Sequence, residues 1–113
     1  MRPTWAEISL DALRHNFKLL KAAAGSAVVC AVVKANAYGH GAVDCAKALE
    51  AAGADWLGVT TTMEGVRLRD AGISARILLM TGFWRGEQEE VIDRNLTPAI
   101  WEWWQVGRSK RSW

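Results

Sequence analysis

The chain has 113 residues, half of them apolar and 23% charged, with a formal net charge of +2. That is the composition of a single soluble globular domain, and the small net charge gives no sign of a nucleic-acid partner. No apolar run approaches the roughly 20 residues needed to cross a bilayer. The N-terminus carries acidic Glu7 and Asp11 and lacks an extended apolar signal segment, so a cytoplasmic setting is expected.

Taken in order, the predicted elements alternate strand and helix. An extended start spans Thr4 to Ile8. Ser9 can cap a helix in which Leu10, Leu13, Phe17 and Leu20 recur at three and four residues, and Gly25 follows its end. Val28 to Val33 is a continuous apolar run that reads as a strand covered on both faces. A second helix runs from Ala42 to Ala52 and stops at Gly53, with Val43, Ala46 and Leu49 as its inner stripe. Trp56 to Thr60 is the next strand. Thr61 and Glu64 fit a capping box that opens a third helix ending near Gly72. Ile77 to Thr81 reads as another buried strand. Glu87, Glu89 and Glu90 open a fourth helix, at the end where negative charge suits its dipole. Leu96 to Ile100 is a last strand, and Pro98 makes it short or places it at an edge.

Strand starts about 20 to 28 residues apart suit βαβ units. Two architectures satisfy this pattern: part of a TIM barrel, or an open doubly wound sheet. In both, chemistry belongs at the C-terminal ends of the strands.

Lys34 immediately follows such an end. An amine at the mouth of an apolar strand is partly desolvated, which favours its neutral form. A neutral amine can condense with an aldehyde. Gly39 and Gly41 bracket the turn that follows, and Tyr38 lies four residues beyond the lysine. The alternative is an ordinary surface lysine on a structural fragment. Cys30 and Cys45 lack a metal or redox spacing and read as small buried hydrophobes. His15 and His40 lack the spacing of a zinc site, so no metal is expected. Arg108, Lys110 and Arg111 read as a solvated tail.

The run Val32-Val33-Lys34-Ala35-Asn36-Ala37-Tyr38-Gly39-His40-Gly41 resembles the pyridoxal-phosphate attachment motif of the alanine racemases. The opening Thr4-Trp5-Ala6-Glu7-Ile8-Ser9-Leu10-Asp11-Ala12-Leu13 resembles the start of the same family, and the similarity continues through Leu57-Gly58-Val59, Glu64 and Ile77-Leu78-Leu79-Met80 to about Trp104. The resemblance chooses the barrel: an α/β fold consisting of a partial (β/α)8 TIM-type barrel, roughly the first four βα units. A complete barrel takes roughly 250 residues. Residues 1–105 are thus expected to be the N-terminal part of the barrel domain and 106–113 an atypical tail, as in a truncated or frame-shifted product.

The resemblance implies a PLP-dependent isomerase that interconverts L-alanine and D-alanine and supplies D-alanine for peptidoglycan. It implies Lys34 as the cofactor's attachment point and the base on the D-alanine face. Tyr38 would hydrogen-bond the cofactor phosphate, and Met80 would line the cofactor pocket. The second base would be a tyrosine of the partner subunit in a homodimer. The phosphate loop and the arginines that meet cofactor and substrate belong to later parts of the family's fold, so Arg67, Arg69 and Arg76 are not expected to replace them. The chain by itself is expected to be inactive. A second expectation is a PLP-binding barrel protein of cofactor homeostasis without racemase chemistry.

Overall fold

The structure, a computed structural model, describes residues 10–33 and 41–99. In chain order they form α1 (Leu10–Ala24), β1 (Cys30–Val32), α2 (Ala42–Ala51), β2 (Trp56–Val59), α3 (Thr62–Asp70), β3 (Arg76–Leu79), α4 (Gln88–Asp93) and β4 (Leu96–Pro98). The strands form one sheet in the order β1-β2-β3-β4, every neighbouring pair parallel. A doubly wound sheet reverses its strand order at a switch point. Here each strand lies beside the next in sequence, as in a barrel.

Local chemistry sets the boundaries. Gly25, Gly53 and Gly72 lie beyond the ends of α1, α2 and α3 with φ of 64°, 103° and 90°. A glycine adopts such angles without the steric cost of a Cβ. The capping box at α3 forms as the sequence predicts: the Glu64 amide donates to Thr61 Oγ1, and Glu64 Oε1 accepts from the Thr61 amide. Glu89 and Glu90 occupy the first turn of α4.

Strand alternation splits the sheet into two unlike faces. Leu57, Val59, Ile77, Leu79 and Leu96 point toward the helices and are essentially inaccessible, joined there by Phe17, Ala46, Leu49, Leu68 and Val91. The register places Cys30, Trp56 and Arg76 in one row and Val32, Gly58, Leu78 and Thr97 in the next. Both rows share the other face, which carries no helix among the described residues. Cys30 and Val32 are exposed there.

This corrects two expectations. The strand predicted over Val28 to Val33 shortens to Cys30–Val32 and is covered on one face, and Cys30 is exposed where a buried thiol was expected. A barrel strand needs apolar residues on both sides because its inner face meets the opposite strands, and four strands do not close a barrel. Cys45, by contrast, is buried in the helix layer, and burial followed by the nearby Asp44 charge pushes its thiol pKa up. Leu20 also departs from the predicted apolar stripe and is 63% exposed. Lys21 Nζ donates to the Gly53 carbonyl at 2.6 Å, so the last turn of α1 meets the end of α2 through Lys21 rather than Leu20.

Two side chains brace the N-terminal end of the sheet. The Arg69 guanidinium, on α3, donates to the carbonyls of Ile73, Ala75, Arg94 and Asn95, which precede β3 and β4. Glu50, on α2, accepts through Oε2 from the Ser74 amide and hydroxyl and from the Ala75 amide at 2.7–2.9 Å.

Partial burial raises the Glu50 pKa, but the hydrogen bonds from Ser74 and Ala75, with the Arg69 charge, outweigh it and hold the carboxyl below its ordinary 4.5. A depressed carboxylate adds stability above the unfolded-state pKa and loses it as pH falls through the folded value. Chemical denaturation across an acid series is therefore expected to show stability falling below about pH 4.5 with a shallower fall in Glu50→Gln. Identical slopes for the two proteins would contradict this role.

Candidate active site at the C-terminal mouth of the sheet

The ladder continues past the strand ends. Val33 donates its amide to the Gly58 carbonyl at 2.9 Å, Met80 to Val59 at 2.8 Å and Ala99 to Leu79 at 3.0 Å. These bonds hold the first residues after β1, β3 and β4 in line with the sheet. Chemistry on parallel α/β sheets gathers at this edge.

Of the sequence-predicted site residues, Met80 is described, whereas Lys34 and Tyr38 lie outside the described residues, as do Ser9, Asn36, Gly39, His40, Ile100 and the tail 106–113. Met80 is half-buried at the end of β3. Its side chain lies across the bare face: a Cβ built on Gly58 would sit 3.0 Å from Met80 Sδ and 3.2 Å from Cys30 Sγ. The thioether thus covers the one position of β2 that has no side chain. Gly41, the last residue of the motif, has φ 87° and precedes α2, in keeping with the tight backbone expected there.

Polar groups tie together the connections at this end of the sheet. Glu64 Oε1 accepts from the Thr60 amide and hydroxyl at 2.8 Å each and from the Thr61 amide at 3.1 Å. Thr81 Oγ1 donates to the Thr60 carbonyl at 2.6 Å, tying the β3–α4 connection to the β2–α3 connection. Glu87 Oε1 accepts from Thr62 Oγ1 and from the Trp84 amide. Sequence reading found Glu64 as a capping residue. The bonds from Thr81 to Thr60 and from Thr62 to Glu87 depend on which loops become neighbours and had no sequence signal.

The arginines lie elsewhere. Arg69 is committed to backbone carbonyls, and Arg76 begins β3 with its guanidinium 5.5 Å from the Trp56 ring centroid. Trp56 and Arg76 line, with Glu50 and Asp55, an open cavity of about 550 Å³. It sits at the N-terminal end of the strands, opposite the mouth. Among the described residues, no group of three or more His, Cys, Asp or Glu side chains could hold a metal ion. No helix there is long and apolar enough to cross a membrane.

Comparison with known proteins matches residues 8–112 to the model of the alanine racemase N-terminal domain. An alanine racemase of Symbiobacterium thermophilum is 50% identical over 102 residues, covering 90% of this chain and 27% of that protein. A catabolic alanine racemase of Pseudomonas aeruginosa is 52% identical over 92 residues, covering 81% of the chain and 25% of its own length. Among solved structures, an alanine racemase of Clostridium difficile superimposes with a TM-score of 0.82 at 35% identity, covering 91% of this chain and 28% of that one. The enzyme from Streptomyces lavendulae gives 0.80 at 41% identity, with 91% and 27% covered. The chain therefore spans little more than a quarter of these relatives. A family model that matches nearly every residue, and four parallel strands in barrel order, place the chain in the alanine racemase N-terminal domain family.

Proposed function

We propose that this chain is the cofactor-holding part of a pyridoxal-phosphate-dependent alanine racemase, which interconverts L-alanine and D-alanine in the cytoplasm and supplies the D-isomer for peptidoglycan. The observation that carries the reading is the match of residues 8–112, the Lys34 motif included, to the alanine racemase N-terminal domain. Lys34 comes directly after Val33, whose amide closes the ladder at the mouth.

The described residues fit such a group. Met80 lies at the mouth, where its thioether covers Gly58 on the bare face, next to the connections tied by Thr60, Thr81 and Glu64. Lys34 would hold the cofactor covalently through its amine, Tyr38 would hydrogen-bond its phosphate, and Met80 would wall the pocket. When bound, pyridoxal phosphate supplies an electron sink that stabilises negative charge at the substrate α-carbon. The Lys34 amine would also be the group that takes or returns the α-proton on one face.

Inversion needs a second base on the other face. Tyr38 is the chain's sole tyrosine and is assigned to the phosphate. By the family resemblance the second base would be a tyrosine of the partner subunit in a homodimer. A non-catalytic role in cofactor homeostasis is the weaker reading, because the relatives above are named as racemases.

Reduction with borohydride after incubation with pyridoxal phosphate, followed by peptide mapping, tests the assignment. The pyridoxyl group is expected on Lys34 in preference to Lys18, Lys21 and Lys47. An even spread over the lysines would overturn it.

A further inference from the structure

The cavity of about 550 Å³ at the N-terminal end of the strands lies away from the mouth and has no part in the functional reading above. It is lined by Val28 ahead of β1, Asp55 and Trp56 where β2 begins, Ser74 and Arg76 where β3 begins, and Glu50 of α2. Its walls are held in place. Glu50 Oε2 fixes the Ser74 and Ala75 amides, Arg69 fixes the Ala75 carbonyl, and the Arg76 amide donates to the Asp55 carbonyl at 2.9 Å.

Three charged side chains line this space, and one of them is already spent. Glu50 accepts three hydrogen bonds through Oε2 and feels the Arg69 charge. Asp55 and Arg76 differ from it: among the described residues neither side chain makes a hydrogen bond or an ion pair. Arg76 instead lies over the Trp56 ring, its guanidinium carbon 5.5 Å from the centroid. Stacking uses the face of a guanidinium and leaves the N–H donors in its plane free to form a fork.

The two free charges are opposite and their backbones are joined by a hydrogen bond, yet they do not neutralise each other. A simple anion on Arg76 would share the cavity with the Asp55 carboxylate, and a simple cation on Asp55 would share it with the Arg76 guanidinium. A divalent metal ion needs several oxygen ligands and would find one free carboxylate beside a cation. A molecule that carries both charges satisfies both groups at once. Val28, 69% exposed, and the Trp56 ring offer such a molecule apolar surface.

We propose that this cavity is a non-covalent binding site for a free α-amino acid with an apolar side chain. The carboxylate takes the Arg76 fork, the ammonium group takes Asp55, and the side chain lies against Val28 and Trp56. The site needs nothing from Lys34. Both protein charges remain open to water, so each match adds about fivefold in affinity at most, the scale of an exposed ion pair.

Ligand-observed NMR titration of the full chain without cofactor compares L-leucine with isovalerate, which lacks the amine, and isoamylamine, which lacks the carboxylate. Leucine is expected to bind with a dissociation constant on the order of 1 mM, and each of the other two about fivefold more weakly. Asp55→Asn is expected to bring leucine down to the level of isovalerate without weakening isovalerate. Arg76→Gln is expected to bring it down to the level of isoamylamine without weakening isoamylamine. Absence of saturable leucine binding overturns the proposal, as do equal affinities for the three ligands or variants that lower all three together. Asp55 is exposed and its side chain bonds to nothing among the described residues, so Asp55→Asn decides the matter alone if Arg76→Gln loses its native circular dichroism. Labelling of Lys34 by pyridoxal phosphate is expected to be unchanged in both variants. Failure here thus leaves the functional reading standing, and an even spread of label over the lysines removes that reading without touching this site.

Discussion

Replacing Arg69 with Met is expected to destabilise the chain by about 3 kcal/mol, the largest loss from any single polar side chain in the described structure. The guanidinium donates at 2.8 Å to the carbonyls of Arg94, Ile73 and Ala75 and at 3.0 Å to that of Asn95. These carbonyls belong to the segments leading into β3 and β4, so one planar cation fixes where two strands begin. Each hydrogen bond from a charged donor is worth about 1.5–3 kcal/mol, and the four share one anchor and do not add fully.

Partial access of water to the freed carbonyls limits the loss further, which is why the expected figure stands near a single strong bond rather than four. Arg69→Lys should recover little of it, because an ammonium cannot span carbonyls arranged for a fork. Denaturant titration checks this, and a change under about 0.5 kcal/mol, the size of an ordinary surface substitution, would contradict the bracing role.

The second large effect concerns the seat of α3. Gly65 is buried, and a Cβ on it would lie 3.0 Å from both methyl carbons of Leu96 and 3.4 Å from a methyl of Leu79. The helix therefore rides directly on the side chains of β3 and β4. Gly65→Val should cost about 3 kcal/mol through overpacking, against the modest gain of replacing a helical glycine. Leu96→Ala should by itself cost about 3 kcal/mol, since Leu96 is essentially inaccessible and its removal leaves a cavity.

Together the two changes should cost clearly less than their sum, because the valine enters the space that the leucine leaves. Stability measured on the two single variants and the double variant completes the cycle. Strict additivity would mean that α3 and β4 do not share this contact in solution.

The sequence was informative where a local rule and a burial rule agree. The glycines after α1, α2 and α3 and the Thr61–Glu64 box marked helix ends because their cause is within a few residues. Strand positions were legible from their apolar runs, and the motif resemblance selected the barrel that the strand order bears out. The runs could not say which side of each strand a helix would cover. Val28 to Val33 is apolar throughout, yet its described strand has one side against Ala31's helical neighbours and the other open.

At the mouth, Met80 was named from the family likeness alone, and its contact with Gly58 had no sequence signal. A glycine reads as a turn or a flaw in a strand until the sulfur above it is seen. Arg69 and Glu50 were equally invisible in their bracing roles, because their partners are mostly backbone atoms, up to 26 residues away.

The strand order has a consequence for synthesis on the ribosome. Cys30 pairs with Trp56, Trp56 with Arg76 and Ile77 with Leu96, so each new strand finds its partner in the one made just before it. No strand has to wait for a distant segment, and the closure of each loop of about 20 residues carries a small entropic cost. A nascent chain with this connectivity can add one strand–helix layer after another as it leaves the exit tunnel, with the newest edge always the one ready to accept the next.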